Sequence, residues 1–520
     1  MKKIVILGIL ILPLFFSCKK VLETSPYNAI PSSTAFSTEA YCDLSMLGVY
    51  DAAQSGLYTD GSRRGYPFGS ANIEQGDVRG EDVVNVAAFY QITYQSTYNS
   101  SSANNVAMWK GLYALINEAN VCINGFHQAL AAGIISSAKA TQYEAECRFL
   151  RAMAHHEALI HFARPYMDGG GQGVGVPYRD SALLSSAAVA TIFTKPRMRT
   201  DSVYVKMLAD LDYAETNLPV TAAVYRTSKA AAIALKMRLK LHMGDWAGVI
   251  TEGNKLIPAT APYKSPIGGF ALTTAPDGPF VNNASTESMF SIKNDALDNP
   301  GTNAALSRMY GSASINGRGL VAISPVIYND PRWLCDDKRR SLLLVTGTNA
   351  NGNKSYFSTK YRDYTTYSDY APQIRYAEVL LTMAEAVARN SAGVSAQAVA
   401  LLDAVRDRSL GVQATQTYTI ANFAAQTDLV KAILFERRIE FLAEGKRWSD
   451  ISRLSPDAPY SPGGIPAKAV NGADGLAIYN CGAGYTPGQA AIPYADFRFL
   501  WPIPATEITQ NPIITQNPLY

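Results

Sequence analysis

Three glutamates, Glu436, Glu440 and Glu444, are spaced four residues apart, so on a helix they would lie along one face. Paired carboxylates can hydrolyse a glycosidic bond, one as the acid and the other as base or nucleophile. The same segment carries Arg437 and Arg438, however, and such a mixture also favours ion pairs between packed helices. We therefore predict a structural role for this segment and no enzymatic activity. A glycoside-processing enzyme is the alternative.

A second polar group, His155, His156 and His161, lies on one predicted helix. None of these histidines belongs to an HExxH motif, which places two zinc ligands one helical turn apart. The chain also has no serine elbow and no clustered metal ligands. We expect these histidines to pack within the protein and predict neither a metal nor another cofactor.

Tyrosine is the residue type most suited to binding here, with 30 tyrosines against 5 tryptophans. Its ring has an apolar face for a sugar ring or a peptide, and its hydroxyl can hydrogen-bond. In the segments without helical periodicity, tyrosines are mixed with carboxylates, amides and guanidinium groups, of which Arg318 is one. The predicted ligand-binding residues are Tyr66, Asp77, Arg79, Tyr94, Tyr98, Asn99, Arg308, Tyr310, Tyr328 and Trp333.

These residues must be positioned by the helices around them. Apolar residues recur at three- and four-residue spacing from Trp109 to Ile123 and again from about Ala138 to Phe162, which predicts a helical hairpin. The same periodicity predicts further helices over Ser202 to Asn217, Ser228 to His242, Trp246 to Leu256, Gln373 to Arg389, Ser395 to Arg408 and Asp428 to Glu444.

The predicted fold is therefore mostly α, built from degenerate tetratricopeptide-like helical pairs that carry long irregular loops with a little β. Small residues such as Ala230 and Ala231 let neighbouring helices approach closely. Three stretches, at about 55–102, 259–372 and 454–500, lack helical periodicity and are rich in Gly, Ser, Asn and Tyr. We predict ligand binding there, because loops on a rigid scaffold usually carry function.

The amino-terminal segment predicts export. Lys2 and Lys3 precede an apolar run from Ile4 to Phe16, which is too short to span a bilayer. Ser17 and Cys18 follow as in a bacterial lipoprotein signal, so residues 1–17 are the predicted signal peptide and Cys18 the lipidated residue. Several acyl chains on Cys18 would hold the protein on a membrane.

Charge and the remaining cysteines give weaker information. The net charge of +3, without a run of basic residues, argues against nucleic acid as a partner. The other cysteines are scattered without CxxC spacing and are predicted to be small buried side chains. Whether two of them form a disulfide is left open, and they are Cys42, Cys122, Cys147, Cys335 and Cys481.

Several segments in order along the chain resemble the SusD/RagB family of outer-membrane nutrient-binding lipoproteins. They include IRYAEVLL at 374–381, ERRIEF at 436–441, EGKRWSD at 444–450 and PIP at 502–504. The resemblance implies one domain over 18–520, with a helical scaffold at about 36–54, 104–258 and 373–453. It also implies a lipid-anchored protein of the outer membrane that faces the cell exterior.

The family resemblance further implies a partner and a ligand. The partner would be a SusC-like TonB-dependent transporter, to which the protein delivers a nutrient polymer. A glycan is the predicted ligand. The alternative is that a protein of the same fold binds peptides, since tyrosine-rich loops would suit either ligand.

Overall fold

The computed structural model describes residues 34–192 and 195–520. The predicted signal peptide and Cys18 lie outside the described residues. The longer helices are α1 (Glu39–Gln54), α2 (Ala71–Val78), α3 (Ala103–Ala131), α4 (Ser137–Phe162), α5 (Thr200–Asn217), α6 (Lys229–Met243), α7 (Trp246–Leu256), α8 (Tyr376–Asn390), α9 (Ala396–Arg406), α10 (Gln426–Glu440) and α11 (Lys446–Leu454). Short helices cover Gln91–Tyr94, Ser186–Ile192, Gly278–Val281, Leu306–Tyr310, Pro325–Tyr328, Lys338–Leu343, Gln413–Gln416 and Ala505–Gln510.

Polar side chains and a glycine set the helix ends. The hydroxyl of Ser136 accepts a hydrogen bond from the amide of Lys139 at the start of α4, and Ser228 caps α6 in the same way. Gly244 ends α6 with a φ of 72°, a left-handed conformation that costs glycine little. The next residue, Asp245, caps α7, so the chain turns from one helix into the next within two residues.

The long helices stack in sequence order into a layered scaffold. Helix α3 packs on α4, α4 on α5, α5 on α6 and α6 on α7, and α8 then joins α7 to α9 and α10. Ala230, Ala231 and Ala232 are fully buried between helices, where their small side chains permit close approach. The predicted class, mostly α with tetratricopeptide-like helical pairs, is confirmed.

The irregular stretches contain short strands that pair over long sequence distances. The strands are β1 (Gly56–Leu57), β2 (Arg63–Tyr66), β3 (Val83–Asn85), β4 (Ser288–Ile292), β5 (Val321–Ile323), β6 (Leu344–Thr348), β7 (Lys354–Ser358), β8 (Ala371–Arg375), β9 (Gly464–Ile465) and β10 (Ile492–Pro493). The antiparallel pairs are β1–β2, β3–β5, β4–β8, β6–β7 and β9–β10. The β3–β5 pair joins the first irregular stretch to the second.

Two of the predicted helices extend three or more residues beyond the observed helix ends. The residues from Gln373 to Arg375 belong to β8, so α8 begins at Tyr376. Helix α10 ends at Glu440, four residues before the predicted end, because Ala443 and Gly445 adopt φ values of 64° and 75°. A Cβ atom on Gly445 would lie 2.5 Å from the Cα of Ile73, so this tight turn fits against α2 only with glycine.

The cysteines divide into two groups. Cys42, Cys122 and Cys147 are buried free thiols, as predicted. Cys335 and Cys481 form the disulfide that the sequence left open, and it ties the second irregular stretch to the third. Within the described residues no helix is both long and apolar enough to cross a membrane.

Candidate functional site

The predicted acidic segment lies in a buried ion-pair cluster. The carboxylate of Glu440 lies 2.7 Å from Arg408 and 3.1 Å from both Arg339 and Arg375. Burial raises the pKa of Glu440, but Arg408 and Arg375 more than reverse this and lower it to about 2. A carboxyl held ionised in this way cannot act as a general acid near neutral pH. The cluster comprises Arg339, Lys360, Arg375, Arg408, Glu287, Glu436, Glu440 and Glu444.

The arginines of the same segment pair elsewhere. Arg437 lies 3.2 Å from Asp450, and Arg438 donates to Asp82 at 2.7 Å. The predicted ion pairing between helices is confirmed for Arg437 and Asp450, which lie on α10 and α11. Arg438 pairs with Asp82 outside the helices, and the glutamates pair with cations from distant parts of the chain.

The three histidines are buried and pack within the scaffold. His155 accepts a hydrogen bond on Nε2 from the amide of Arg179, so its Nδ1 donates to the carbonyl of Arg151 at 2.9 Å. Burial lowers the pKa of His155 to about 3, and the imidazole is neutral. No group of three or more His, Cys, Asp or Glu side chains arranged for metal binding occurs in residues 34–192 and 195–520.

Most ligand-binding candidates of the first irregular stretch lie inside the protein. The hydroxyl of Tyr94 donates to the carbonyl of Ala469 at 2.7 Å, and the guanidinium of Arg79 stacks 3.4 Å from the ring centroid of Trp448. These side chains pack in the interior and present no face to solvent, which corrects their expected exposure. The buried candidates here are Tyr66, Asp77, Arg79, Tyr94 and Tyr98, and Asn99 alone of this group is exposed.

The candidates of the second stretch divide in the same way. Tyr310 is fully buried and its hydroxyl donates to Asp77 at 2.6 Å, while burial raises the pKa of Asp77 to about 8. Trp333 is also buried. Tyr328 is half-buried and stacks on Tyr356, with their centroids 4.4 Å apart. Arg308 is half-buried and reaches the surface described next.

Half-buried rings and guanidinium groups from both irregular stretches meet on one surface. Arg64 lies 4.0 Å from the ring centroid of Tyr58 and 5.9 Å from that of Phe89. Arg318 lies 4.9 Å from the same Phe89 ring. We call this surface the aromatic–arginine patch, and its residues are Tyr58, Arg64, Phe89, Arg308, Arg318 and Tyr367.

Local structure holds the second half of the patch in place. The amide of Arg318 donates to the carbonyl of Arg308 at 2.7 Å, which links the two arginines through the backbone. The guanidinium of Arg308 lies 5.8 Å from the ring centroid of Tyr367. Tyr367 has a φ of 61°, which is unusual for a bulky residue, and its hydroxyl lies 3.3 Å from that of Thr302.

A cleft of about 460 Å³ is lined by residues of α1, β4 and the loops beside them. Tyr225, which is 38% exposed, lines the cleft. Arg63 pairs with Asp51 at 3.3 Å and with Asp298 at 3.2 Å, and both of these carboxylates line the cleft. Neighbouring residues of one strand thus have different surroundings, since Arg63 pairs with two carboxylates, whereas Arg64 pairs with Asp60 alone and stacks on Tyr58.

Comparison with known proteins gives the same family at both ends of the chain. A family model described as the SusD family matches residues 346–520. A SusD-like model, described as starch-binding and associating with the outer membrane, matches residues 20–241. The chain belongs to the SusD family.

Relatives within the SusD family cover most of the chain. SusD-like protein P2 of Formosa agariphila is 28% identical over 403 residues, 69% of this chain and 74% of that protein. A SusD superfamily protein from Bacteroides fragilis has a TM-score of 0.74 at 24% identity and covers 92% of this chain and 99% of its own. Surface glycan-binding protein A from Bacteroides uniformis has a TM-score of 0.66 at 18% identity, with 92% and 99% covered. At such identities the structures show the fold alone.

The SusD family models do not cover the patch evenly. Tyr58, Arg64 and Phe89 lie in the first matched range and Tyr367 in the second. Arg308 and Arg318 lie between the two ranges, so their place in the patch comes from this chain's own structure. Sequence reasoning picked out both of these arginines but missed the rings beside them, since no local pattern separates an exposed ring from a buried one.

Proposed function

We propose that this protein binds a glycan at the cell surface through the aromatic–arginine patch and delivers it to a SusC-like TonB-dependent transporter. The observation that carries this proposal is the convergence of half-buried rings and guanidinium groups from distant segments on one irregular surface. The description of its family as starch-binding and the glycan-binding name of a structural neighbour support it. The mature chain, 18–520, would act as one domain held at the outer membrane by lipid on Cys18.

The patch has the two kinds of group that saccharide binding needs. The Tyr58, Phe89 and Tyr367 rings offer apolar faces and edges for the C–H side of a sugar ring, and guanidinium N–H groups donate to its hydroxyls. These rings are held by β1–β2, by the 3-10 helix Ala88–Tyr90 and by the loop before β8. A surface fixed before the ligand arrives loses less conformational entropy on binding.

We propose binding without hydrolysis. Retaining and inverting glycosidases need two carboxyl groups facing the scissile bond. Asp60, at the edge of the patch, is engaged with Arg64 at 3.0 Å. Glu74 is buried beneath the patch and accepts a hydrogen bond from the Tyr90 hydroxyl at 2.5 Å. The Glu436, Glu440 and Glu444 carboxylates are held in the buried ion-pair cluster.

Affinity electrophoresis tests this proposal, with soluble starch and a panel of plant and algal polysaccharides in the gels. We expect wild-type protein to be retarded by at least one polysaccharide. We expect Phe89→Ala to lower the affinity for it about fivefold or more, since loss of an aromatic contact costs on the order of 1 kcal/mol.

Tyr41→Ala is the matched control, because Tyr41 is an exposed ring on α1, away from the patch. Its retardation should equal that of wild type. Melting temperatures would confirm that each variant is folded. Unchanged retardation in folded Phe89→Ala and Tyr58→Ala proteins would rule out the patch as the binding site.

A further inference from the structure

The positive charge of the aromatic–arginine patch is largely uncompensated. Arg64 pairs with Asp60 at 3.0 Å. Among the residues that the structure describes, Arg308 and Arg318 form no ion pair with a carboxylate. Three guanidinium groups thus share one carboxylate on a single surface. In the buried ion-pair cluster, by contrast, Arg339, Arg375 and Arg408 all lie within 3.1 Å of the Glu440 carboxylate.

The two unpaired arginines also keep donors free. A guanidinium group carries five N–H donors. Arg318 donates from Nη1 to the side chain of Asn303 at 2.9 Å, and Arg308 donates from Nη1 to Asn316 at 2.8 Å. The Nε of Arg308 is buried and has no hydrogen-bond partner within residues 34–192 and 195–520. Both side chains are therefore held in position through Nη1, while the Nη2 group of each makes no hydrogen bond within the described residues.

A buried acid beside the patch, Glu74, does not supply the missing charge. Glu74 lies under the patch, and its pKa is raised by burial to about 8, so its carboxyl is mostly protonated at neutral pH. Burial lowers the pKa of Arg318, and the like charges of Arg308 and Arg64 lower it further. An anionic group bound at this point would relieve that repulsion and accept the spare N–H donors.

We propose that the patch selects acidic saccharides, with a carboxylate or sulfate group bound by Arg308 and Arg318 and the sugar ring against Phe89. Guanidinium groups bind such oxyanions in a bidentate manner, with stronger hydrogen bonds than neutral donors make. This inference rests on the proposed glycan-binding function and names the class of its ligand. The carboxylate of a uronic acid and the sulfate of a sulfated sugar share the same recognition chemistry.

The test compares polysaccharides that differ in charge alone. Oligogalacturonate is measured by calorimetry beside its carboxyl-reduced form, and κ-carrageenan oligosaccharide beside its desulfated form. A panel of neutral, uronate and sulfated polymers in affinity gels shows which polymer binds most tightly. We expect an acidic polymer to bind most tightly, its neutralised form to bind about tenfold or more weakly, and its affinity to fall with added salt. The pair in which neutralisation weakens binding shows whether the protein recognises a uronate or a sulfate.

The protein side of the test uses neighbouring arginines. Arg318→Gln and Arg308→Gln should each weaken binding of the acidic polymer about tenfold. Arg63→Gln is the matched control, because Arg63 is an exposed arginine that pairs with Asp51 and Asp298 outside the patch. Its affinity should equal that of wild type.

Three outcomes would overturn this inference. One is a neutral polymer as the tightest ligand, and another is unchanged affinity in folded Arg318→Gln and Arg308→Gln proteins. The third is binding of poly-glutamate as tight as that of the acidic saccharide, which would favour a peptide ligand. If Phe89→Ala then still lost affinity for a neutral polymer, the proposed function would stand without the charge preference. If Phe89→Ala bound every polymer normally, the proposed function itself would fail.

Discussion

Two arginine-rich regions of this protein differ in whether the surrounding residues neutralise the guanidinium charge. In the buried ion-pair cluster, Arg339, Arg375 and Arg408 are almost fully buried and contact the carboxylates of Glu287, Glu436, Glu440 and Glu444. In the aromatic–arginine patch, Arg308 and Arg318 are half-buried and have no carboxylate partner among the described residues. The residue type is the same, and the position of the acids differs.

The difference follows from the cost of removing a charge from water. A charge in the interior is tolerated only when it is paired and hydrogen-bonded, so the cluster must be neutralised by the protein itself. A charge at the surface is partly solvated and can remain unpaired until a ligand arrives. An arginine without a partner is therefore more informative about function than an arginine in a network.

The largest effect is expected from breaking the cluster. Glu440→Gln would leave Arg408, Arg375 and Arg339 short of a buried carboxylate, which should lower the free energy of unfolding by about 3 to 5 kcal/mol. Urea denaturation measures this change. Glu39→Gln is the control, because Glu39 is an exposed carboxylate paired with Lys139 and should change stability by less than about 0.5 kcal/mol. Equal stabilities of these two variants would show that the cluster does not hold the fold together.

An intermediate effect on stability is expected at Glu74. This residue is buried, like the ion-pair cluster, but it lies under the aromatic–arginine patch. Its folded-state pKa of about 8 is above the ordinary value of 4.5, so its contribution to stability is complete below about pH 4.5 and is lost as the pH rises through 8. Wild-type protein should lose about 1 to 3 kcal/mol from this group between pH 5.5 and pH 8.

Glu74→Gln should remove that part of the pH dependence, because a glutamine can accept the Tyr90 hydrogen bond without ionising. Melting curves of both proteins at pH 5.5 and pH 8 decide this point. The same decrease with pH in both proteins would mean that Glu74 is ionised in the folded state.

The smallest effect on stability is expected in the patch. Arg318→Gln removes a guanidinium that pairs with no carboxylate in the part of the chain that the structure describes, so the free energy of unfolding should change by less than about 0.5 kcal/mol. Urea denaturation of Arg318→Gln and Glu440→Gln, measured under the same conditions, compares the stability effects in the two regions directly. A loss of 2 kcal/mol or more in Arg318→Gln would mean that this arginine is structural and that the two regions do not differ in the way described.

The helical scaffold was predictable because helix signals are local. The helix predicted over about Ala138 to Phe162 differs by one residue from α4 at Ser137–Phe162. The early end of α10 was missed because Gly445 indicates a helix end at Glu444, whereas the left-handed conformation of Ala443 is not apparent from the sequence. Strands such as β4 and β8 were not predicted, because each is short and its partner is far away in the sequence.

The candidate site was less predictable, since exposure is a property of the fold. Tyr94 and Phe89 are five residues apart in the same irregular stretch, yet Tyr94 is buried against Ala469 and Phe89 lies at the surface. Ring type and loop composition could not separate them. Arg308 and Arg318 were chosen for their chemistry, whereas their contacts with Phe89 and Tyr367 needed the tertiary structure.

The Cys335–Cys481 disulfide makes the final shape of the loops depend on where the chain folds. This bond closes a loop across 146 residues of sequence and fixes the segment beside Tyr328 to the segment beside Tyr479. Disulfides form and persist in oxidising compartments and are rare in the cytosol. Protein produced in a reducing cytoplasm would lack this bond, and its irregular half would be less constrained than that of protein exported before folding.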